Sequence, residues 1–151
     1  MNRRDVIEEL ESLIIQLEKG LDILEYSINK SESIDISKDL NYEELETMEA
    51  LTARFSRLSD IYTQKFLKSF FYLLGETNLT LIDKANYLEK LEIINSSEEL
   101  LEIRELRNSI SHEYIFEELQ GLFSDVIAIF PKMKEMIIKS ISYAKENLTK
   151  Y

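Results

Sequence analysis

The only histidine of the chain, His112, stands near the end of the run Arg104-Glu105-Leu106-Arg107-Asn108-Ser109-Ile110-Ser111-His112-Glu113-Tyr114. In a chain without cysteine, imidazole is the one side chain whose ordinary pKa suits proton transfer near neutral pH. Arg107, five residues earlier, carries a fork of N–H donors that matches two oxygens of a phosphate. Asn108, directly after it, can hydrogen-bond a ribose, a phosphate or His112 itself. On a helix, residues 108 and 112 share a face, whereas residues 107 and 112 point about 140° apart. The second pair converges only where the helix ends or distorts, or where a second copy of the chain faces the first. A lone histidine at a helix end is also a common structural feature, so spacing alone leaves a catalytic and a structural reading open.

The elements that must position these residues are helices. Three Gly and one Pro in 151 residues leave few turn formers for an all-β fold. A chain of this length buries about 68–70% of its unfolded surface and forms one domain, expected to span residues 1–151. Val6, Leu10, Leu13, Leu17, Leu21, Leu24 and Ile28 step by three or four and mark one apolar stripe of a helix over about residues 3–30. Residues 31–41 are polar and break the period, which predicts a connecting loop. Met48, Leu51, Phe55, Leu58, Tyr62, Phe66, Phe70 and Leu73 mark a second long helix, starting near Tyr42 and stopping at Gly75. Residues 80–94 predict a shorter helix and Asn95-Ser96-Ser97 a break with a cap. Glu98 to about His112 forms the helix that bears the polar run, and Glu117 to about Leu148 closes the chain. Pro131 predicts a kink or restart in that last helix. The sum is an all-α up-and-down bundle of four to five helices.

Composition narrows the chemistry further. Without Cys and with one His, a Cys/His zinc site, a disulfide framework and a cysteine nucleophile are excluded. The carboxylates are scattered, so no metal cluster and no cofactor are expected. The N-terminal residues run straight into Glu8, Glu9 and Glu11, and no apolar run approaches the ~18 residues of a membrane span; a cytoplasmic protein with no membrane partner is the expectation. The formal charge is −11, yet residues 50–74 hold Arg54, Arg57, Lys65 and Lys68 against Asp60 alone. Arg54 and Lys65 are eleven residues apart, as are Arg57 and Lys68, and on a straight α-helix such a step returns to within about 20° of the same direction. These four, with Gln64 and Ile61, would line one stripe. It reads either as a solvated face paired with the surrounding acids or as a track for a phosphate backbone. The negative total charge opposes tight non-specific nucleic-acid binding without forbidding a local contact in a cleft.

Arg107, four residues, then His112, with a polar residue after the Arg and Glu113-Tyr114 after the His, resembles the Arg-x4-6-His signature of HEPN domains, and the form Arg-x4-His-x-Tyr is similar to the HepT branch. HEPN domains are all-α with the signature late in the domain near a helix end. The resemblance implies a metal-independent ribonuclease toxin, encoded with a minimal nucleotidyltransferase antitoxin that transfers AMP from ATP to the motif tyrosine. The residues suit that reaction. Attack of a ribose 2′-OH on the adjacent phosphate needs a proton acceptor, a proton donor for the leaving oxygen and positive charge beside phosphorus. His112, Arg107 and Asn108 are the candidate catalytic residues. One His112 cannot serve as acid and base at once, and a homodimer would bring a second copy into the same cleft, in keeping with the general build of HEPN ribonucleases. Tyr114 is either a half-buried aromatic closing the bundle or, as the resemblance implies, the AMP acceptor. Two other readings stand beside the nuclease: a non-catalytic HEPN subunit that serves a nucleotidyltransferase, and a helical scaffold without an active site.

Overall fold

The computed structural model describes residues 2–113 and 116–150, with the side chains of 116 and 117 outside the description. Among the described residues, three helices start on a reciprocal cap, in which a side-chain oxygen accepts the N–H three residues on and the acid at that position accepts the capping residue's own N–H. Asn2 and Asp5 open α1 (Arg3–Ser31), Asn41 and Glu44 open α2 (Tyr42–Asp60), and Thr80 and Asp83 open α4 (Leu81–Lys90). Between α2 and α4 the chain passes through a π-helical segment (Ile61–Phe66) and α3 (Leu67–Leu73) without leaving the helical rod; α5 (Glu98–His112) and α6 (Phe116–Asn147) follow. Counting α2 to α3 as one rod gives five helices, and among the described residues every regular element is helical.

Side-chain pairs give the directions. Arg3, at the start of α1, donates to the carbonyl of Leu73 at the end of α3, while Arg54 in α2 reaches Ser27 near the end of α1, so these rods run antiparallel. Lys134 pairs with Glu25 and Lys145 with Glu18, so α6 also opposes α1. An up-and-down bundle results. Its core includes Ile7, Leu10, Leu17 and Leu24 of α1, Met48, Leu51 and Phe55 of α2, and Val126, Met133 and Ile137 of α6. These positions repeat at three, four or seven residues, as amphipathic helices require. No described helix is long and apolar enough to cross a membrane.

The second rod departs from the straight α-helix expected. The N–H of Leu67 bonds to the carbonyl of Tyr62, five residues back, which takes one extra residue into the turn. Thr63 donates its hydroxyl to the Ser59 carbonyl at 2.8 Å, competing for an acceptor of the α ladder. The Tyr62 hydroxyl is pinned to Ser140 of α6 at 2.7 Å. After this turn both Phe70 and Phe71 are buried, with Phe70 packed on Tyr143 of α6 and Phe71 edge-on to Tyr87 of α4. The rod ends in a Schellman motif: Gly75 has φ +83°, Glu76 N–H bonds to Phe71 O, and Gly75 N–H bonds to Tyr72 O.

Two points differ from the sequence pattern. The helix expected over 80–94 stops at Lys90, because Glu92 takes a left-handed conformation (φ 60°) that closes a second Schellman motif, with Ile93 N–H on Leu88 O. The break at 95–97 falls where expected, with the Ser96 hydroxyl accepting the Glu98 N–H at 3.3 Å and Glu89 taking the Ser97 N–H at 2.8 Å. Helix α6 does not restart at Pro131, which lies inside one continuous element.

Candidate functional site: a basic groove between α2 and α5

Leu100, Ile103 and Leu106 bury one face of α5. The three- and four-residue steps from Arg104 to Arg107, Asn108 and Ser111 place those polar residues on another face. Opposite them, Arg57, Asp60, Ile61, Gln64 and Lys65 come from the end of α2 and the π segment. Together with Arg104, Arg107 and Asn108 they line an open groove of about 630 Å³. Four cations thus surround one carboxylate.

Arg107 is bound to that carboxylate along one edge of its guanidinium. Its Nε donates to Asp60 Oδ1 at 2.7 Å and its Nη2 to Asp60 Oδ2 at 2.8 Å, while Nη1 donates to the Ser111 hydroxyl one turn on. Both partners are half-buried, at 26% and 38% side-chain exposure. The hydrogen bond to Asp60 raises the Arg107 pKa above its ordinary value, against a smaller opposing effect of burial, so the guanidinium is charged at every working pH. The sequence pattern assigns Gln64 to the basic stripe but gives no role to Asp60, Arg104 or Ser111. Asp60 did leave a signal, being the only acid in the basic segment 50–74.

His112 is exposed in the last turn of α5, outside the residues lining the groove. The helix continues through His112, so within one chain it does not distort to bring His112 onto the Arg107 face. Arg107 and Asn108 are together in the groove, and Tyr114 lies outside the described residues.

The basic stripe divides. Arg57 and Lys65 line the groove, but Arg54 turns the other way, donating to Ser27 at 2.7 Å in a cleft between α1 and α2 that also holds Glu43 and Glu46. Lys68 lines a neighbouring groove of about 580 Å³ with Glu9, Gln16 and Tyr72, joined to the first through Gln64 and Lys65. Partial burial first, and the nearby Lys68 charge second, lower the Lys84 pKa. The eleven-residue step holds only for an unbroken α-helix. A π turn between residues 61 and 66 changes the phase of Lys65 and Lys68 relative to Arg54 and Arg57, which themselves diverge within α2, one toward α1 and the other toward α5.

The other grooved face of α5 has the opposite character. Between α5 and α6 a cleft of about 370 Å³ carries Glu102, Glu105 and Asp125 against Lys132. Among the described residues, no three His, Asp or Glu side chains gather as a metal-holding group. Compared with known proteins, the chain matches no family, no curated sequence and no solved structure. Its class is that of an all-α bundle with a basic groove on an acidic surface.

Proposed function

We propose that the protein is a HepT-like ribonuclease toxin that cleaves RNA without a metal ion. The observation that carries this reading is the gathering of Arg57, Lys65, Arg104 and Arg107 with Asn108 in one groove of a chain whose formal charge is −11. A phosphodiester in that groove meets guanidinium forks from two helices, and Asn108 offers a donor and an acceptor to the ribose. His112 supplies proton transfer. Because it stands outside the groove of its own chain, and one imidazole cannot be acid and base at once, the reaction centre is assembled in a homodimer, where the two His112 side chains, one taking the 2′-OH proton and one protonating the leaving oxygen, flank a phosphate held by Arg107. Tyr114 is the AMP acceptor through which a cognate nucleotidyltransferase antitoxin silences the cleft, since each added AMP brings about one negative charge against the RNA phosphates.

The test is cleavage of single-stranded and transfer RNA in EDTA by the wild-type chain and by Arg107→Ala and His112→Ala. Each substitution lowers the rate by about 10²–10⁴-fold while the helical circular dichroism spectrum is kept. Wild-type rates in His112→Ala, or a requirement for Mg²⁺, would overturn the reading. Arg107 already held by a carboxylate favours a second reading, a non-catalytic HEPN subunit of a nucleotidyltransferase. Absence of cleavage together with stable binding to such an enzyme supports it.

A further inference from the structure

We propose that Asp60 is a positioning residue for Arg107, fixing the guanidinium so that its two unused N–H groups meet a phosphodiester in the groove. The proposal rests on the phosphodiester reading above. A guanidinium has five N–H donors. Asp60 takes one on Nε and one on Nη2, and Ser111 takes one on Nη1, so among the described residues one donor stays open on each terminal nitrogen.

The pairing is selective. Arg57 lies three residues before Asp60 on the same rod and lines the same groove, yet among the described residues the carboxylate makes its ion pair with Arg107 of the opposite helix. Asp60 itself sits where α2 gives way to the π segment, a point held by the buried Tyr62 and its bond to Ser140. The anchor for the arginine is therefore a packed backbone rather than a loop. A charge stabiliser acts best when it is already oriented before the reaction begins.

This arrangement has opposite consequences for binding and for turnover. The carboxylate removes positive potential from the groove and weakens attraction for RNA, while the fixed guanidinium plane speeds the chemical step. A pair that served only the fold would not separate the two. In Asp60→Asn the side chain keeps its size and one carbonyl acceptor but loses the charge. The expected result is a KM for a short RNA oligonucleotide lowered about two- to tenfold, a log–log salt slope steeper by about one unit, and a kcat lowered at least tenfold. In an Arg107→Ala background the same substitution leaves kcat where Arg107→Ala put it, because the two residues act as one unit. Asp60→Glu restores the charge and recovers part of kcat.

An unchanged kcat in Asp60→Asn, or a full further loss in the Arg107→Ala background, overturns the proposal. Should the wild-type chain cleave no RNA, the nuclease reading fails separately. The clamp is then read by exchange of the Arg107 Nε–H with water in ¹⁵N NMR and by oligonucleotide binding. Slow exchange lost in Asp60→Asn, with tighter binding, supports it; fast exchange in the wild type refutes it.

Discussion

Half-exposed ion pairs contribute little to folding, typically 1 kcal/mol or less, so the bidentate contact of Asp60 with Arg107 matters for where the arginine points more than for stability. Two residues on, the balance reverses. Tyr62 is fully buried, and burial pushes its phenol pKa up, a rise that the hydrogen bond with Ser140 only partly offsets. It is protonated at any working pH. Tyr62→Phe keeps the ring stacked on Phe66 but leaves the buried Ser140 hydroxyl without its Tyr62 partner. A loss of about 1–2 kcal/mol with an unchanged urea m-value is expected, and chemical denaturation followed at 222 nm measures it. The buried network was not legible in the sequence, since Tyr62 fits the apolar period as well as a Phe would.

At the scale of the element, the helix carrying the polar run is bounded at residues 98 and 112, as its periodicity predicts, because three apolar steps and an acidic first turn mark it. The helix before it was read too long. Leu91, Ile93 and Ile94 continue an apolar pattern, but the last two are buried from outside the helix, after the chain turns at Glu92. That turn places a non-glycine residue at φ 60°, where a Cβ is strained by roughly 1 kcal/mol. Glu92 is exposed, so Glu92→Gly removes the strain without loss of packing. The expected gain is about 0.5–1 kcal/mol, seen as a melting temperature higher by about 2–4 °C; a lower value would mean that the unfolded-state entropy of glycine outweighs the relief. The π segment was equally hidden. Its residues Ile61 to Phe66 have unremarkable helix propensities, and beyond the turn Phe70 and Phe71 of α3 pack on Tyr143 of α6 and Tyr87 of α4.

For the whole molecule, the division of the basic stripe makes a prediction that a straight helix would not. Arg57→Gln with Lys65→Gln should weaken RNA binding and flatten the log–log salt dependence by about one to two units, whereas Arg54→Gln, at the Ser27 cleft, should leave the slope unchanged. Equal effects from both would restore the single track. The proposed sharing of a site also requires two copies. Sedimentation at micromolar concentration should give the mass of a dimer, and mixing wild-type chains with an excess of His112→Ala should lower the activity per wild-type chain, since a mixed dimer carries one His112 and lacks either the acid or the base. A monomer with full activity would refute the shared centre.

Sequence alone determined that this chain is helical, because Gly and Pro scarcity and apolar steps of three and four are local and short-range in their physics. It also placed Arg107 and Asn108 side by side on one helix, since both fall within the segment 98–112. Tertiary structure decided which charges meet. Asp60 and Arg107 are 47 residues apart, and nothing local couples them; only the packing of α2 against α5 brings carboxylate and guanidinium to 2.7 Å. The π turn that follows Asp60 separates the directions of Arg54 and Lys65, for a side chain's direction depends on the accumulated turn of its helix.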